Sequence, residues 1–133
     1  MKIKTYGLFL LMLVFLVGCS SNPEIPFKDE VLTKIEVKET KNNSKIALNQ
    51  KELHEIKSYF DKISWRNGKV EMMKEPDYIM QIISQKAKKQ HTRLFSVWIN
   101  KDQSISFVDY ENGLVGDLSK NDARDFKMFI YRR

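Results

Sequence analysis

One cysteine, Cys19, stands in the whole 133-residue chain, so neither an intramolecular disulfide nor a thiolate zinc site can be built. Histidine is almost as scarce. His54 and His91 have no His, Cys or carboxylate at ligand spacing, which leaves no metal site to expect. Proline occurs only at positions 23, 26 and 76, so the segments 27–75 and 77–133 run free of that breaker. No Gly-x-Ser-x-Gly elbow is present, and Asp109-Tyr110-Glu111-Asn112-Gly113 is too short for a calcium loop and lacks its closing glutamate. No catalytic residue is therefore nominated, and no cofactor is expected. The charge excess, +6 from 23 basic and 17 acidic residues, is mild and lacks the clustered footprint of a nucleic-acid binder.

What is present begins with a leader. Lys2 and Lys4 precede an apolar run from Tyr6 to Val17, and these twelve positions fall short of the ~20 that a spanning helix needs. A basic start, a short apolar run and a small residue are the plan of a cleavable signal. The run closes on Leu16-Val17-Gly18-Cys19, which resembles the bacterial lipoprotein lipobox. That resemblance implies thioether transfer of diacylglycerol to the Cys19 sulfur, cleavage after Gly18, and a palmitate-type lipid anchor on the extracytoplasmic face of the cell membrane. A thiol serves because it ionises far more readily than a hydroxyl. Removal of residues 1–18 leaves 115 residues, one domain's worth, and a net charge of +4 after the loss of Lys2 and Lys4.

Residues 19–27, with Pro23 and Pro26, read as a flexible tether, and 28–133 as a single globular domain. Thr33–Thr40 alternates Ile35 and Val37 with charged residues, the period of a strand, and Ile46–Leu48 makes a short return. Asn49 and Glu52 form a capping box for a helix to Ile63, with Leu53, Ile56, Phe60 and Ile63 on one stripe. Asn67-Gly68 marks a turn, with a further short strand expected at Val70–Met73. A meander follows over Asp77–Gln85, Leu94–Asn100 and Ser104–Tyr110. Leu114–Leu118 is a last short strand before a helix opened by Ser119 and Asp122 and closed by Arg132 and Arg133. This order predicts an α+β fold: an antiparallel sheet of about four to five strands with two helices on one face.

Strand parity nominates a binding surface. With Ile79, Ile83, Phe95, Val97, Ile99, Ile105 and Phe107 under the helices, the opposite face carries Tyr78, Met80, Ile82, Leu94, Trp98, Val108 and Tyr110. Trp98, Tyr78, Tyr110 and Met80 would make a Trp-, Tyr- and Met-rich patch suited to a partner, unless another strand, the Trp65 segment or the N-terminal region folds over it, or the sheet's inner face is the reverse of this one. The segment 86–93, read as an exposed loop, gathers Lys86, Lys88, Lys89 and Arg93 as a contact for anionic lipid or wall polymer.

With its lipobox, short tether and compact domain, the chain resembles the small lipoproteins of Gram-positive bacteria, the YhfM-like group among them. The resemblance implies a location: a membrane-anchored envelope protein, read as a non-catalytic module for an envelope protein or polymer. The alternatives are a surface enzyme or inhibitor module, and a passive envelope component near anionic polymers.

Overall fold

The computed structural model describes residues 25–131. The leader, the Gly18–Cys19 junction, residues 20–24, and Arg132 and Arg133 lie outside the described residues. In order, the elements are β1 (Val31–Glu39), β2 (Lys45–Ala47), α1 (Gln50–Phe60), β3 (Ser64–Asn67), β4 (Tyr78–Lys86), β5 (Lys89–Ile99), β6 (Ile105–Asp109), β7 (Leu114–Leu118) and α2 (Lys120–Tyr131). The strands form one antiparallel sheet in the order β2-β1-β4-β5-β6-β7-β3. The fold is α+β as expected, with seven strands rather than four to five. The difference lies at the edges: β2 has three residues and β3 four, too few to display an alternating pattern. The strand expected at Val70–Met73 is absent, and β3 instead precedes the Asn67-Gly68 turn.

α1 starts where its cap says it should. The Glu52 amide donates to Asn49 Oδ1 at 2.9 Å and the Asn49 amide donates to Glu52 Oε1 at 3.1 Å, satisfying two otherwise orphaned donors. Its buried stripe is Leu53, Ile56 and Phe60, and the helix ends at Phe60, short of Ile63. At the head of α2 the Ser119 hydroxyl donates to the Asp122 carboxylate at 3.0 Å, and Ala123, Phe126, Phe129 and Ile130 face inward. Tyr59 joins the helices by packing on Phe126 and Phe129, with ring centroids 5.6 and 5.5 Å away.

The helices cover the sheet face that carries Ile35, Val37, Met80, Ile82, Phe95, Val97, Ile105, Phe107 and Leu118. Register fixes this face, because Val37 pairs with Met80 and Met80 with Phe95. The parity expected for β4 is thus reversed: Met80 and Ile82 are buried under the helices, and Ile79 and Ile83 lie half-buried on the other face. For β5 and β6 the expected parity holds. One inner row runs Tyr78, Val97, Phe107, Gly116, Trp65 across five strands. Gly116 makes room in that row, since a Cβ there would lie 2.5 Å from Trp65 Cζ3 and 2.6 Å from Ile63 Cγ2.

Candidate functional site

The Trp98-centred patch is not an open surface. Trp98, Val108 and Val115 form a second small core on the outer face, roofed by Val70 and Met72 from the segment between β3 and β4. The roof is tied down at both ends: the Gly68 amide donates to the Gly113 carbonyl at 2.9 Å, and the Asp77 carboxylate accepts the Ile99 amide at 2.7 Å. Trp98 Nε1 donates to the Lys74 carbonyl at 2.9 Å. Of the other nominated residues, Met80 is core, and Tyr78 is half-buried against Tyr131 on the helix side. Tyr110 alone is exposed, edge-on to Trp98. The correction has a physical basis: β4 is apolar on both faces, so alternation could not orient it, and a Trp on an outer face was met by its own lid.

Trp98→Phe should keep the roof's apolar contact and remove only the indole bond. The expected cost is about 1 kcal/mol, accompanied by faster amide exchange over residues 70–77. Unchanged exchange there would show that the bond does not hold the roof.

The basic segment is also rearranged. β4 and β5 continue almost to its centre, so the loop shrinks to Ala87 and Lys88, with Lys86 and Lys89 paired at its base. These three lysines are exposed. Arg93 is withdrawn from them, because pairing with Ile82 turns it to the helix side. There it lies 3.8 Å from the buried Asp109 carboxylate and 5.8 Å from the Phe27 ring centroid.

Phe27 leads to a site the sequence reading missed. It follows Pro26 in the presumed tether, yet it is buried, stacked on Phe60 with centroids 5.1 Å apart and tilted against Phe95 at 6.0 Å. The domain therefore includes the end of the tether. Phe27 and Asp29 both have left-handed backbones, φ 68° and 61°, a strained turn for a bulky residue that the aromatic contacts hold in place. The turn forms one wall of a cleft of about 610 Å³. Phe27, Phe60, Ile63 and Trp65 line its apolar part, and Lys28, Asp29, Lys57 and Asp61 its polar part. Trp65 packs on Phe95 and Phe107, and its buried Nε1 has no hydrogen-bond partner among the described residues.

Beside this turn, Glu30 is buried, its carboxylate accepting from Ser84 Oγ at 3.2 Å and its carbonyl from Lys57 Nζ at 3.1 Å. Among the described residues no three His, Cys, Asp or Glu side chains gather as a metal site. The cleft has the volume of a small-ligand pocket, aromatic walls and charges of both signs. That combination can hold an amphipathic group. The available sequence signal was slight: a Phe directly after Pro26, and a Trp in a segment read as a turn.

Sheet order and helix placement define a class. A thioesterase-like protein from Clostridium sporogenes has a similar fold, with a TM-score of 0.54 over 77% of this chain and 96% of that chain. Sequence identity is 14%, so the likeness is one of fold. The family is narrower: a family model described as YhfM protein matches residues 28–133, and the chain belongs to the YhfM family. No curated protein matches it.

Proposed function

We propose that the chain is a membrane-anchored lipoprotein of the cell envelope whose domain is a non-catalytic binding module, with the Phe27–Phe60–Trp65 cleft as its ligand seat. The carrying observation is the cleft of about 610 Å³ itself, with Phe27, Phe60, Ile63 and Trp65 as apolar lining and Lys28, Lys57, Asp29 and Asp61 as polar lining. The anchor reading rests on Leu16-Val17-Gly18-Cys19. Six residues, 19–24, separate the lipidated sulfur from Ile25 at the cleft, a reach of about 20 Å when extended. A partner at the membrane surface would meet the cleft first.

A photo-crosslinking residue at Asp61, on the cleft, should give an adduct in intact cells, and one at the fully exposed Met73 should not. The Asp61 adduct should weaken with Trp65→Phe and disappear with Cys19→Ser. Equal yields from both positions would overturn the cleft as the seat. A second reading, hydrolysis of an acyl ester or thioester, is favoured by the thioesterase-like neighbour and by the buried Glu30 carboxylate near the cleft. Acyl-thioester turnover abolished by Glu30→Gln would establish it over the binding reading.

A further inference from the structure

The β4–β5 hairpin outruns its sheet. β6 pairs only with Ser96–Ile99 of β5, so the rest of the hairpin projects past the end of β6 with β1 on its other side. Register shows which end this is. Val31, the first residue of β1, lies opposite Gln85, and the next position, Lys86, pairs with Lys89 across the hairpin turn. The chain therefore enters the sheet from the tether at the end where the hairpin tip emerges. That end presents exposed Lys28, Lys86, Lys88 and Lys89; its exposed acids, Asp29 and Asp61 at the cleft and Glu111 in the β6–β7 turn, all lie outside the hairpin tip, where the apolar Val31 is 67% exposed beside the lysines.

The turn itself adds a second observation. Ala87 and Lys88 both have positive φ, 51° and 66°, the geometry of a two-residue turn that Asn-Gly adopts with less strain. A lysine is held at the tip although the backbone would be easier without it.

We infer that this lysine-bearing tip docks on the anionic phospholipid leaflet that holds the Cys19 lipid, fixing the orientation of the domain above the bilayer. The inference rests on the anchor reading given above. Lysines near an anionic surface are attracted within a Debye length, and a six-residue tether keeps the tip inside the zone where such weak contacts act as intramolecular ones. An exposed valine beside them adds apolar contact at the head-group boundary. Docking would leave the β1–β2 turn, at the opposite end of the sheet, pointing away from the membrane.

The test uses the intact lipidated protein in vesicles of phosphatidylcholine, with and without phosphatidylglycerol. With the Cys19 thiol blocked by its lipid, Ala87→Cys carries a fluorophore at the tip and Asn43→Cys carries one at the far turn. Head-group spin-labelled lipid should quench the label at 87 only in the anionic vesicles, and ~0.5 M salt should relieve it. The label at 43 should stay bright. Replacing Lys86, Lys88 and Lys89 by Gln should lower the docked-to-free ratio about a hundred-fold, roughly five-fold for each lysine. Equal quenching in both vesicle types, or quenching that survives the triple replacement, would overturn the proposal. So would a tip that answers soluble polyphosphate but not the anionic vesicles. Failure of the anchor looks different, because an unlipidated chain would float with neither vesicle when salt is high, and the inference would fall with it.

Discussion

Gly116→Ala is expected to cost about 3 kcal/mol, at the upper end for an overpacked core site, and to lower the melting temperature by about 12 °C or more. The added carbon would sit 2.5–2.6 Å from the Trp65 ring and Ile63 Cγ2, inside any tolerable contact. The indole cannot swing aside cheaply, since it packs on Phe95 and Phe107 at 5.5 and 6.3 Å. The easier relief is for β3, a four-residue edge strand paired only with β7, to peel away. Thermal melting measures the cost, and amide exchange should show it concentrated at Ser64–Asn67. Combining Gly116→Ala with Trp65→Leu should recover part of the loss, because the clash and its partner are removed together. A lone Gly116→Ala that melts with the parent would mean that Gly116 does not seat the Trp65 ring.

Arg93→Met should cost about 3–4 kcal/mol, the range for stranding one half of a buried ion pair. Asp109 is 1% exposed, and without the guanidinium its carboxylate keeps only the Asn112 amide at 3.1 Å and Asn112 Nδ2 at 2.7 Å. Loss of the cation also removes the contact that Phe27 makes through its ring face. Denaturant melts of Arg93→Met, Asp109→Leu and the double variant separate the possibilities. The double variant should recover most of the stability, because desolvation of both charges is then avoided. If Arg93→Met is neutral, Arg93 is a surface cation after all and belongs with the hairpin lysines.

These two sites show where the sequence could be read and where it could not. α1 was legible because its evidence is local: Asn49 and Glu52 are three residues apart and Leu53, Ile56 and Phe60 share a stripe. β7 was legible from Asn112-Gly113 before it. β4 was not, because Tyr78-Ile79-Met80 and Ile82-Ile83 are apolar on both sides, and only pairing with Val37 and Phe95 chooses the inner one. The same reversal put Tyr78 and Met80 into the expected Trp98 patch, whereas Trp98 itself lies on the expected face. Val70 and Met72 alternate just after the Asn67-Gly68 turn; read as a lid rather than a strand, they would have covered it. Arg93 and Phe27 depended on each other across more than sixty positions, beyond the range of any spacing rule. The lipobox remains the sequence's most specific motif and lies wholly outside the described residues.

The sheet order carries a consequence for synthesis. The β4–β7 meander pairs neighbour to neighbour, but its flanks come from the first half of the chain. Thr33 of β1 meets Ile83 across 50 positions, and Arg66 of β3 meets Asp117 across 51. Closing such loops is the slow part of folding a sheet. A chain made from its N-terminus completes β3, with Trp65 on it, long before β7 exists to receive it. Order of appearance therefore runs against order of pairing, and the unfinished chain must carry an unpaired strand with an exposed Trp65 until Leu114–Leu118 has been made, just ahead of α2.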